Sequence, residues 1–232
     1  MAEQDTVRVG AFTVGMAEAE GWVRRYFDES RNREVAATGG RTRPYAYPVY
    51  DRFAAGGAES ELSDGDLLAP SLLNASLGIR AVYNLQTLRP RLEKGLAAIP
   101  PTLTLTDAAA RGTLASLLTD LFGVLDGPDP AVGLGLTTLS KILHRKRPLM
   151  IPLYDRRVKR CYCGDSGDHP VEPVSRSAPD GPFYAAVAAG IARDLAEQPV
   201  QWRYLASVAP ADVSLLRVFD VVAWERGGTR DA

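Results

Sequence analysis

Apolar residues recur at three-and-four spacing in several separate stretches of this chain, and short runs rich in Gly, Pro, Ser and Asp divide them. That rhythm predicts amphipathic helices joined by turns. The clearest stretch is 113–125, where Leu114, Leu117, Leu118, Leu121, Phe122 and Leu125 share a face and Asp126-Gly127-Pro128-Asp129-Pro130 ends the run. Trp22, Val23, Tyr26 and Phe27 predict a helix over 17–27. Ser63 with Asp66 three places later predicts an N-cap ahead of Leu67 and Leu68, with Pro70 kinking the helix or starting a fresh turn and Gly78 as a stop. A short helix is expected to start over 81–88, and Pro100-Pro101 marks a boundary. An alanine-rich helix is expected over 183–195, a shorter one over 200–208 and a closing one over 211–224. The stretch 29–43, with four arginines and Gly39-Gly40, predicts a polar, mobile loop, and 164–182 a surface loop or insertion. Strand signals are few and short, so the fold class is predominantly α-helical. The expected organisation is an N-terminal helix and polar loop over 1–43, then a single helical domain over 44–232.

Composition narrows the function classes. A chain of 232 residues with 46% apolar and 24% charged residues can bury a sizeable core as a soluble globular protein. Its formal net charge of −1 means that any attraction for a polyanion must come from a local patch. Lys141, Arg145, Lys146, Arg147, Arg156, Arg157, Lys159 and Arg160 crowd into 141–160, broken by one acid, Asp155. No apolar run approaches the ~20 residues that cross a bilayer, so no membrane partner is expected. An acidic start without a basic leader and only two cysteines fit a cytoplasmic protein.

The densest chemistry lies over 131–160. Gly133-Leu134-Gly135 allows a tight turn whose backbone approaches a ligand closely. Leu136, Leu139, Ile142 and Leu143 then bury one face of a helix, and Pro152-Leu153-Tyr154 leads to Asp155, placed to open a second, basic helix. Main-chain N–H groups at such a turn suit a phosphate, and the positive end of a helix suits a carboxylate. Asp155 is also a natural N-cap, and the basic run is also compatible with a solvated face.

In its order of parts this segment resembles the helix-hairpin-helix DNA glycosylase superfamily: a Gly-x-Gly hairpin, a helix, a proline-containing connection, then an Asp followed by an aliphatic residue and an arginine, here Asp155, Val158 and Arg160. The resemblance implies a helix-hairpin-helix glycosylase-like core, DNA as the partner and no cofactor. It assigns Asp155 the catalytic role of stabilising an oxocarbenium-like sugar or activating water. Gly133 and Gly135 would anchor phosphate through backbone amides, and Lys141, Arg145, Lys146, Arg147, Arg157 and Arg160 would supply phosphate-binding charge. The Schiff-base lysine of bifunctional members falls on Thr137, so the implied activity is monofunctional. Arg156-Arg157 and Tyr154 also depart from the superfamily pattern. The whole chain, including 49–73 and 213–222, resembles a bacterial family of unknown function.

Two other functions fit the same residues: a non-catalytic module binding nucleic acid or protein through the hairpin, and an enzyme on a small nucleoside or glycoside. His144 is expected as a hydrogen-bonded, partly buried histidine. Cys161, Cys163 and His169, with Asp165 or Asp168, fall short of the four Cys and His ligands usual for structural zinc, so no metal is expected. Tyr45, Tyr47 and Tyr50 are expected to pack rather than to join the site.

Overall fold

A computed structural model describes residues 5–54, 56–127, 132–164, 167–173, 175 and 178–229. Among these, eleven α-helices and one two-stranded hairpin form a predominantly helical fold. The hairpin pairs β1 (Thr6–Val9) with β2 (Phe12–Gly15), Val9 opposite Phe12. Its turn needs Gly10, which sits at φ +63° and lies so close to Cys161 that a Cβ there would overlap the Cys161 carbonyl.

Helix α1 (Met16–Tyr26) follows directly and buries Ala19, Val23 and Tyr26. The loop expected over 29–43 is corrected over its first two-thirds: Glu29–Thr38 is helix α2, capped by Asp28 and ended by Gly39 in the left-handed region. Its one buried residue is Asn32, itself polar, so no apolar stripe advertised it. Asn32 is buried and holds the chain on either side, donating to the Tyr26 and Tyr47 carbonyls at 3.0 and 2.9 Å.

Helix α3 (Asp64–Leu68) begins with the expected capping box between Ser63 and Asp66, and Pro70 starts a 3₁₀ turn over Ala69–Leu73. That turn stops at Asn74 in the left-handed region; Gly78 instead caps the start of α4 (Ile79–Ala97). Helix α4 is longer than the pattern indicates and carries Pro90 inside it. Helix α5 (Leu105–Ala110) is short and gave no periodic signal. Helix α6 (Leu114–Phe122) buries Leu114, Leu118, Leu121 and Phe122, as its spacing predicts, and runs into a 3₁₀ turn over Gly123–Leu125.

Helices α7 (Leu136–Lys146) and α8 (Arg156–Tyr162) flank Asp155. Helix α9 (Asp180–Glu197) packs closely on α6. Its small residues permit the approach, since a Cβ on Gly181 would lie 2.6 Å from the Thr119 carbonyl oxygen. Helices α10 (Pro199–Ser207) and α11 (Leu215–Gly228) close the chain. Helix α11 is buried without interruption from Leu216 to Ala223, against α1, α8 and α10. One hydrophobic cluster runs from Val7 and Val23 through Leu143 to Val222, so the N-terminal hairpin and α1 share a core with the C-terminal helices. No helix among the described residues is long and apolar enough to cross a membrane.

Candidate functional site

The order helix, Gly-x-Gly turn, helix, Asp, helix is present as α6, Gly133–Gly135, α7, Asp155 and α8. Gly133 sits at φ +83°, a left-handed backbone that favours glycine, and a Cβ there would lie 3.3 Å from the Ala81 Cβ, a tight contact. Gly135 is the extended N-cap of α7, with open space where a Cβ would stand. Residues 128–131 lie outside the described residues.

Asp155 occupies two roles. It caps α8, its Oδ1 accepting from the backbone N–H groups of Arg157 at 2.8 Å and Val158 at 3.0 Å. It also lines a cavity of about 330 Å³. Both capping bonds fall on Oδ1, so Oδ2 takes no part in the cap. The polar lining beside it is Lys141 from α7 and Asp220 from α11, while Tyr26, Tyr45, Tyr154 and Trp224 supply aromatic surface and Arg43 and Arg157 add guanidinium groups.

Local sequence explains each placement. Ser140 accepts from the Tyr154 N–H at 3.1 Å and so ties the approach to Asp155 onto α7. Lys141, one residue further, is 7% exposed and donates from Nζ to the Leu73 carbonyl at 2.9 Å. Burial lowers its pKa, partly offset by the charges of Asp155 and Asp220. Tyr45 is held by Asn32, whose Oδ1 accepts from its N–H at 3.2 Å, and by Glu225, which accepts from its hydroxyl at 3.0 Å. Its ring lies 6.3 Å from that of Trp224, edge to face.

Asp220 is buried in α11, and burial pushes its carboxyl up to about 6 despite the opposing charge of Arg217. Arg217 is itself buried. It donates to Asp220 Oδ2 at 2.5 Å, to Asp51 Oδ1 at 2.8 Å and to the Tyr26 hydroxyl at 2.7 Å.

The basic run behaves differently from a phosphate-binding face. Arg147 is 2% exposed and spends its guanidinium on the carbonyls of Ile99, Leu96, Glu59 and Lys146 and on the Ser60 hydroxyl. Arg145 donates to the carbonyls of Tyr50 and Phe53, and Lys146 pairs with Asp66 at 2.9 Å. These three cations pin the 50–60 segment onto the end of α7, because backbone carbonyls that lack a sheet or helix need donors. The outward basic patch expected at Arg145, Lys146 and Arg147 is therefore corrected. Lys141 likewise belongs to the cavity rather than to an outer face. Arg157 stands at the cavity rim, and Arg160 is exposed, with Nη1 donating to the Gly227 carbonyl at 2.9 Å.

His144 is buried as expected, its Nδ1 2.6 Å from the Ile151 carbonyl oxygen, and burial lowers it to about 4. Cys161 and Cys163 are free thiols, raised by burial to about 12 and about 11, which makes them poor nucleophiles. His169 Nε2 lies 3.2 Å from the Arg160 carbonyl oxygen. The candidate ligand Asp165 lies outside the described residues.

Tyr26, Asp220 and Trp224 are among the lining residues that the sequence did not mark, and Tyr45, expected only to pack, lines the cavity too. One signal was available, since Asp220 interrupts the apolar run Val218-Phe219-Asp220-Val221-Val222 and an acid in such a helix is costly unless it is paired or hydrogen-bonded.

No curated protein and no solved structure matches the chain. A family model does, over residues 19–227, and by that match the chain belongs to a family of unknown function, DUF6308.

Proposed function

We propose that this protein binds DNA and hydrolyses the N-glycosidic bond of an altered base taken into the cavity. The observation that carries the reading is Asp155, whose capping bonds hold it rigidly in the wall of a cavity shared with Lys141 and Asp220. Departure of a base leaves positive charge on the sugar, and a fixed carboxylate stabilises that charge more in the transition state than in the ground state. The volume of about 330 Å³ suits one flipped nucleotide rather than a duplex segment. Tyr45 and Trp224 offer rings for stacking on the base. Phosphate contacts would fall to the amides after Gly133 and Gly135, with Arg157 at the cavity rim and Arg160 exposed further along α8.

A specific observation favours a second reading, an enzyme on a small nucleoside or glycoside: Arg145, Lys146 and Arg147 face inward and leave fewer cations for a duplex. One experiment addresses both. Duplexes carrying altered bases and the matching free nucleosides are incubated with the wild-type protein and with Asp155→Asn, and released base is measured. Release from duplex that the Asn variant loses by ~100-fold or more, with the fold intact, supports the leading reading. Release from nucleoside alone supports the second. Salt-dependent duplex binding without release in either protein identifies a non-catalytic module.

A further inference from the structure

Resting on the N-glycosidic reading of this cavity, we infer that Asp220 is the acid that protonates the departing base, so that the site acts on neutral bases and not only on ones already cationic. Asp220 stands on α11, on a different element from Asp155, yet lines the same cavity. The charged groups that face it come from every element around it. Tyr26 comes from α1, Asp51 from the turn after Tyr50, Lys141 from α7, Asp155 from the start of α8 and Arg217 from α11 itself. Among these stand three carboxyl groups, Asp51, Asp155 and Asp220, and two cations, Lys141 and Arg217, with Arg43 and Arg157 also in the cavity lining. Asp51 and Asp155 are half-buried whereas Asp220 is buried, and a proton on Asp220 removes the cost of a buried charge.

Geometry selects which acid carries that proton. Asp51 faces Arg217 with both oxygens, taking Nε at 2.8 Å and reaching Nη2 at 3.5 Å. Asp220 holds the same guanidinium through Oδ2 alone, and it is the one that lines the cavity. Burial acts in the same direction, raising Asp220 to about 6. The result is two carboxyl groups in one cavity with different burial, the arrangement that divides acid from charge-stabilising work.

The step balances as a hydrolysis. The Asp220 proton passes to a ring nitrogen of the base as the bond from sugar C1′ to the base breaks, its electron pair leaving with the base. Water adds to C1′ and gives a proton to Asp155. Asp220 regains a proton from solvent and Asp155 releases one, so one water is consumed.

The test uses the full chain and two duplexes of the same sequence, one carrying hypoxanthine and one 7-methylguanine, whose base is already positively charged. Single-turnover release is measured from pH 5 to 8. In wild type the ratio of hypoxanthine to 7-methylguanine release should fall about tenfold per pH unit above about pH 6. Asp220→Asn should slow hypoxanthine release by about tenfold more than 7-methylguanine release and abolish that pH dependence. An equal loss on both duplexes, or a wild-type ratio indifferent to pH, overturns the inference. The ratio is measured on wild type alone, so it decides even where Asp220→Asn fails to fold. Release of both bases with a flat ratio removes only the acid; no release of either base removes the N-glycosidic reading and this inference with it.

Discussion

The guanidinium of Arg157 lies 3.7 Å from the centroid of the Trp224 ring, and its Nη1 donates to the Trp224 carbonyl at 3.2 Å. Cation–π attraction and a hydrogen bond thus join the first turn of α8 to α11, at the rim of the cavity. The contact depends on how closely the two helices approach. Gly227 makes that possible, because a Cβ there would overlap the Arg157 carbonyl oxygen.

Gly227→Ala should therefore push α8 off α11. Backbone is the obstacle, so nothing flexible can yield, and a loss of about 2 kcal/mol or more is expected from overpacking. Urea denaturation measures the loss, and activity should fall with it because Asp155 and Arg157 ride on α8. A variant as stable and as active as wild type would show that the helices separate freely.

Arg147→Met should destabilise the protein by about 3 kcal/mol or more, since the carbonyls of Ile99, Leu96 and Glu59 lose a buried donor. Had the side chain been a phosphate contact, the change would instead flatten the salt dependence of DNA binding by about one logarithmic unit and leave stability alone. Denaturation and a salt titration on the same variant distinguish the two.

Base release should leave the abasic strand whole. Thr137 has no amine, and Lys141 commits Nζ to the Leu73 carbonyl at 2.9 Å. Borohydride treatment during turnover should trap no covalent adduct. An adduct that disappears in Lys141→Ala would make Lys141 the nucleophile and the enzyme a lyase.

His144 should make the fold sensitive to acid. Its folded pKa is depressed by burial to about 4, below the ordinary histidine value of about 6.5, so the unfolded chain takes up a proton first as pH falls. Stability that is complete above about pH 6.5 is then lost progressively down to about pH 4, amounting to about 3 kcal/mol. Asp220, raised to about 6, works in the opposite sense over roughly the same range. The comparison is therefore between wild type and His144→Asn, whose amide keeps a donor for the Ile151 carbonyl without titrating. Denaturation at pH 7.5 and pH 4.5 should show wild type losing about 3 kcal/mol relative to the variant; parallel losses would mean that His144 is protonated in the fold.

What the sequence by itself determined is local. The buried faces of α6 and α7, the capping box at Ser63 and Asp66 and the cap at Asp155 were all legible, because periodicity and capping act within a few residues. Helix α2 was not, since it lacks an apolar stripe and is fixed through Asn32 by bonds to Tyr26 and Tyr47. Helix α11 gave ambiguous core positions because it is buried on nearly every side. Only the tertiary structure decided which cations face inward: one arginine looks like another in a row of basic residues, and orphan carbonyls from 50–60, far along the chain, claim Arg145 and Arg147. The cavity is likewise a product of packing. Asp155 was marked by its motif, whereas Tyr26, Tyr45, Asp220 and Trp224 reach it from both ends of the chain, brought together because α1 and α11 bury their apolar faces against each other.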